Sequence, residues 1–92
     1  MIRSFRNKGL ETFFKTGKHK GIQAIHAERL RELLTALNVA AGPLDLARPS
    51  WRLHALSGKL QGFQAMTVQA NWRVVFRFNG TDVELVDYVD YH

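Results

Sequence analysis

The sequence predicts an α+β domain: two N-terminal helices packed on one face of a small antiparallel β-sheet, mixed at its edge. Three observations carry this. Leu30, Leu33, Leu34 and Leu37 repeat at helical spacing in the first half, whereas Trp72, Val74, Phe76 and Phe78 alternate with Arg73 and Arg77 near the end, as in a half-buried strand. Asn79-Gly80 then joins that strand to the next apolar run as a hairpin.

The elements follow in order. MIRSF alternates Ile2 and Ser4 with Arg3 and Phe5, which is compatible with a short first strand. Asn7 is placed to cap a short helix whose Leu10, Phe13 and Phe14 share one face, and Gly17 is a natural stop. GKHKG is a basic connector with glycine at both ends. From about Gln23 a longer helix carries the leucines and Ala41 on one face and Glu28, Arg31 and Glu32 on the other, until Gly42 and Pro43 end it. After LDLARPS come WRLHAL, GFQAMTVQ, WRVVFRF and DVELVDYVDY, short β segments separated by SGK, the Ala70-Asn71 step and NGT. Helices on one side leave the other face of the sheet free for a partner.

Composition bounds the classes. The 92 residues make a single domain, 1–92, because a chain this short buries only roughly 60 to 65 per cent of its unfolded surface and has no room for a second core. At 46% hydrophobic the chain is globular rather than disordered. No apolar run is long enough to span a bilayer, and the N-terminus lacks a signal-peptide core, so the expectation is a soluble, unexported protein without a membrane partner. The absence of cysteine removes disulfides and thiolate metal sites, in keeping with a reducing cytoplasm. Residues 1–59 hold eleven basic and four acidic groups, and 60–92 hold two and four; the balance runs from +7 to −2. That asymmetry points to a polyanion, steered to one side of the domain. Lys8, Lys15, Lys18 and Lys20 are the candidate footprint, and an ordinary solvated face is the plainer account of them.

Four histidines can move protons near neutrality: His19, His26, His54 and His92. His19 reads as a solvated residue of the connector, and His26 as a residue at the edge of the helix packing face with local partners. His54 and His92 fall on separate strands, with Arg73 and Arg77 on a strand between them in sequence. Taken singly either histidine reads as structural; taken together these groups resemble the parts of a metal-free RNA-cleaving site, which needs a base for the 2′-hydroxyl, an acid for the leaving 5′-oxygen, and positive charge for the phosphorane. No cofactor is expected, and no Gly-rich phosphate loop, metalloprotease motif or carboxylate cluster competes with this reading.

The opening MIRSF followed by KGL, Leu53-His54 with Leu56 and Gly58, NWR followed by VFRF, and the terminal DYH together give the chain a family likeness. It resembles, nearly from end to end, the HigB toxins of the RelE/ParE superfamily of toxin-antitoxin systems. The resemblance implies a ribosome-dependent, metal-independent endoribonuclease of the cytoplasm, which cuts translated messenger RNA in the ribosomal A site. It also implies a HigA-like helix-turn-helix antitoxin as partner, through which the toxin meets operator DNA. On that likeness the catalytic residues are His54, Arg73, Asp90, Tyr91 and His92. His54 and His92 serve proton transfer, Arg73 clamps phosphate, Asp90 orients or charges a histidine, and Tyr91 stacks on a base or supports the relay. Lys8, Lys18, Lys20, Lys59 and Arg73 are expected to contact RNA.

Two positions depart from the family pattern. Many relatives carry lysine where this chain has Ser57, and arginine in the segment occupied here by Thr67 to Gln69; Lys59 is the candidate to restore one charge. Two rival functions follow. A ParE-like toxin would share the fold and bind DNA gyrase without RNA chemistry, and a weakened toxin would act mainly as an antitoxin-binding module.

Overall fold

A computed structural model of the chain describes residues 1–91; His92 lies outside the described residues. The first helix, α1, spans Lys8–Thr16. Its N-terminus is closed by Asn7, whose side-chain oxygen accepts from the Leu10 amide at 2.8 Å, a cap whose loss costs about 1 kcal/mol. Gly17 ends it in the left-handed conformation, φ 78°, with its amide donating to the Phe13 carbonyl. The second helical region opens with a 3-10 turn, Ala24–His26, before the regular helix α2, Ala27–Val39. Its Leu30, Leu33, Leu34 and Leu37 are buried, each contributing roughly 1.5–3 kcal/mol by leaving water. The helix stops before Ala41: Ala40 is already extended yet still buried, Ala41 is exposed, and Gly42-Pro43 begins a separate 3-10 turn.

Four antiparallel strands follow in sequential order: β1 His54–Ala55, β2 Gln64–Gln69, β3 Trp72–Asn79 and β4 Asp82–Asp90. The strand expected over WRLHAL shrinks to two residues, because Pro49–Trp51 forms a 3-10 turn and Arg52 takes φ 48°. Neither conformation continues a ladder, and both serve to bury Trp51 in the core. At the other edge the N-terminal segment runs parallel to β4 through bridges Ile2↔Val83 and Phe5↔Val86. The sheet is therefore mixed at that edge, as the sequence predicts.

Two irregularities set the register. In β2 the pairing slips between Thr67 and Gln69, and in β3–β4 between Val75 and Arg77. The second slip centres on Leu85, φ 56°, whose amide donates to Ser4 Oγ at 2.9 Å. This bulge lets Val83 and Val86, three residues apart, both face the core, which strict alternation forbids. The helices cover the sheet face bearing Met66, Val74, Phe76 and Val86. On the opposite face Phe63, Ala65 and Val75 form a small separate cluster with Leu56, Leu60, Leu85 and Val89, without a residue of α1 or α2 in it.

Candidate active site

Residues paired across neighbouring strands project to the same side, so the register lays out the uncovered face as a grid. His54, Ala65, Val75 and Asp87 form one row across the four strands. Thr67, Arg73 and Val89 form the next. On the other side of the His54 row, Arg77 lies opposite Glu84 and holds its guanidinium 5.3 Å from the Phe63 ring centre. Small Ala65 and Val75 thus make a flat floor, with His54 at one end and arginines on both flanks.

His54 is exposed on the short edge strand. Its Nδ1 lies 2.9 Å from the Arg52 carbonyl; a carbonyl only accepts, so Nδ1 carries the proton and donates. Nε2 is left as the nitrogen available to a substrate proton. Arg73 is half-buried and folded back on the β2–β3 turn, where Nη1 donates to the carbonyls of Ala70 at 2.5 Å and Trp72 at 3.1 Å. His54 and Arg73 share a face but stand two strands and two residues apart, roughly 10 Å across and ~7 Å along the sheet.

The end of β4 lies against that same turn. Trp72 pairs with Asp90, and the Tyr91 amide donates to the Asn71 carbonyl at 2.7 Å. Alternation after the Leu85 bulge puts Tyr91 on the side of Asp87, Val89 and Arg73, and Asp90 on the side of Trp72. Tyr91 is 48% exposed, enough ring for a base to stack on. His92, the second predicted proton-transfer group, lies outside the described residues.

The lysines are spread more widely. Lys8, Lys18, Lys20 and Lys59 are all exposed, and Lys15 pairs with Glu11 at 3.0 Å. Lys8 opens α1, and Lys18 and Lys20 stand on the α1–α2 connector, so none of the three shares a strand with His54 or Arg73. Lys59 sits at the tip of the β1–β2 hairpin, the opposite end of the sheet from the β2–β3 turn. Two further cations lie nearer the floor: Arg6, which no sequence motif singled out, and Arg77, which shares a strand with Arg73 but is outside the catalytic set that the resemblance implies. Arg6 stacks over Phe63 at 5.1 Å, and Arg77 stacks on the same ring while its Nε donates to Glu84 at 2.9 Å. The bond from Arg77, and then that from Asn79, holds the Glu84 carboxyl below its ordinary range. Alternation alone revealed the side on which Arg77 projects. No local signal could place Arg6, because its position depends on the N-terminal segment pairing with β4.

His26 is not satisfied locally as the sequence suggested. It is buried, with Nε2 2.9 Å from Gln69 Oε1 and Nδ1 2.6 Å from the Tyr88 hydroxyl. A concavity of about 680 Å³ between α2 and the segment after it is lined by residues including Glu28, Glu32, Ala36, Val39, Asp45 and Trp51, and holds none of the predicted site residues. Among the described residues no three of His, Asp or Glu gather as metal ligands, and no helix is long and apolar enough to cross a membrane.

Comparison with known proteins agrees with this architecture. Residues 3–92 match the family described as RelE-like toxin of type II toxin-antitoxin system HigB. The chain is 38% identical over its whole length, and over the whole of the relative, to Endoribonuclease HigB of Proteus vulgaris. Among solved structures, YafQ from E. coli strain BL21(DE3) superposes with a TM-score of 0.66 at 15% identity, over 98% of this chain and 91% of that one. The YoeB–YefM complex of Staphylococcus aureus supplies a chain with a TM-score of 0.62 at 16% identity, over 100% and 95%. Those structural likenesses speak to the fold of two helices on an antiparallel sheet, and the full-length sequence match speaks to descent. This chain belongs to the HigB family of RelE-like toxins of type II toxin-antitoxin systems.

Proposed function

We propose that this chain is an endoribonuclease toxin that cuts messenger RNA in the ribosomal A site and so stops translation. The observation that carries the reading is the pairing of His54, its Nε2 open to substrate, with Arg73 on one uncovered sheet face, in a chain alike from end to end to a protein named as an endoribonuclease. RNA lies along the Ala65–Val75 floor. One of His54 and His92 takes the proton of the 2′-hydroxyl, whose oxygen bonds to phosphorus. The other gives a proton to the departing 5′-oxygen. The products are a 2′,3′-cyclic phosphate and a 5′-hydroxyl. Each proton transfer is worth about 10² to 10⁴ in rate, and the arginine charge on the phosphorane adds a comparable factor. Both transfers use side chains, so the step is proposed as metal-independent.

The partners follow from the family. Relatives of this fold occur in complexes named YoeB–YefM and DinJ–YafQ, and for this chain the reading is a HigA-like helix-turn-helix antitoxin that carries the pair to operator DNA. The ribosome and the cytoplasm belong to the same proposal. The test is purified, EDTA-washed protein added to a translating extract. Cuts within codons are expected, and His54→Ala should lower the rate by about 10² to 10⁴. Cleavage undiminished in that variant would remove the site. Intact messenger RNA with broken DNA would replace the reading by gyrase inhibition.

A further inference from the structure

We propose that His26 is a positioning residue for RNA cleavage, acting through the β2–β3 turn; the inference rests on the function proposed above. That turn is the shared support of the site. Its Ala70 and Trp72 carbonyls hold the Arg73 guanidinium, and its Asn71 carbonyl holds the Tyr91 amide, the last hydrogen bond along β4 described. Yet the turn is not self-sustaining. Ala70 adopts φ 51°, the left-handed region that side chains with a Cβ disfavour, so neighbours must impose the shape.

His26 is the centre of those neighbours. Gln69 and Trp72, the residues that flank the turn and pair with each other, both meet it. The Gln69 side-chain oxygen can only accept, so His26 Nε2 donates to it at 2.9 Å, and Nδ1 accepts from the Tyr88 hydroxyl at 2.6 Å. The Trp72 ring lies 5.6 Å from the imidazole and 4.6 Å from the Tyr88 ring. Tyr88 in turn stands on β4 two residues before Asp90 and accepts from the Gln23 amide. One buried ring, 1% exposed, therefore joins the entry to α2, the end of β2, the start of β3 and the end of β4. Removing it leaves the Arg73 and Tyr91 anchors on a strained turn with weaker walls. A catalytic group displaced by ~1 Å can lose on the order of 10² in rate.

The experiment uses His26→Ala, Tyr88→Phe and Gln69→Ala in the full chain, with ribosome-bound messenger RNA as substrate. Gln69 is exposed and Tyr88→Phe removes a single oxygen, so these two decide the matter where His26→Ala does not fold. The expected result is a fall of about ten- to a hundred-fold in the cleavage rate at saturating ribosome, with the half-saturating concentration unchanged. The Tyr91 amide should also exchange with solvent faster than other β4 amides. Folded variants that cleave at the wild-type rate, while His54→Ala does not cleave, would overturn this inference and leave the site standing. Equal loss of protection throughout β4 with an unchanged rate would show a purely structural histidine and would overturn it as well. Full cleavage by His54→Ala and Arg73→Ala would bring down both readings.

Discussion

Arg73 donates from a single nitrogen to two backbone carbonyls, so the side chain is placed before any RNA arrives. A guanidinium keeps further N–H groups for phosphate while that nitrogen is occupied; a lysine ammonium is a point charge on a flexible stem and would spend its donors on the turn. Arg73→Lys should therefore show most of the loss caused by Arg73→Ala, on the order of 10² in cleavage rate, although it keeps the charge. Cleavage of ribosome-bound messenger by the two variants, side by side, checks this; a lysine variant near wild type would mean that charge alone is used. At this scale residue type and chain order named His54 and Arg73 as candidates, and alternation along β3 gave the side on which Arg73 projects. The burial of His26 was not legible, because its partners lie 43 and 62 residues away in sequence.

At the scale of elements, α1 was legible because its cap and its stop are local. Asn7 and Gly17 act on amides and carbonyls within a turn of themselves. The strands were legible as strands but not in register. The Leu85 bulge, fastened by Ser4, decides that Tyr91 rather than Asp90 projects beside Arg73, and nothing within β4 specifies it. The hairpin below it has an acid-sensitive clasp. Arg77, then Asn79, lowers the Glu84 pKa, and the bond from Arg3 lowers that of Asp82, which also meets the N-terminal amine at 3.4 Å. Lowered in the folded state, these groups bind fewer protons there than in the unfolded chain, so their contribution is fully present above their ordinary values and disappears as pH falls through the folded ones. Glu84→Gln should thus be less stable than wild type at neutral pH, and the gap should close on acidification below the ordinary 4.5. Urea midpoints of both proteins across that range measure it, and a gap independent of pH would assign the effect to packing.

Over the whole molecule, the charge split along the chain does not map onto one side of the domain. The outer sheet face draws Arg6 from the first part of the sequence and Arg73 and Arg77 from the last, with Glu84 and Asp87 on the same side. Three of the four acidic residues among 1–59, Glu28, Glu32 and Asp45, line the α2 concavity, together with Arg31 and Arg48. Lys18 and Lys20, on the connector, extend the basic surface away from the site. Binding to ribosomal RNA should weaken with salt through counterion release, and replacing both lysines by glutamine should reduce the log–log slope by about 1.5. Ribosome affinity measured over a salt series tests this; an unchanged slope would make them ordinary solvated charges.

The amino-acid sequence by itself determined the fold class, the order of the elements, the helix cap, the Asn79-Gly80 hairpin and the side of β3 that Arg73 and Arg77 share. All of these rest on interactions among near neighbours or on the periodicity of apolar side chains. Only the tertiary structure decided that WRLHAL narrows to two strand residues, that Arg6 joins the outer face, that two bulges choose which side chains meet there, and that His26 braces the turn. Each of those depends on pairing or packing between segments far apart in the chain, where the preference of a residue for its own neighbours carries no information.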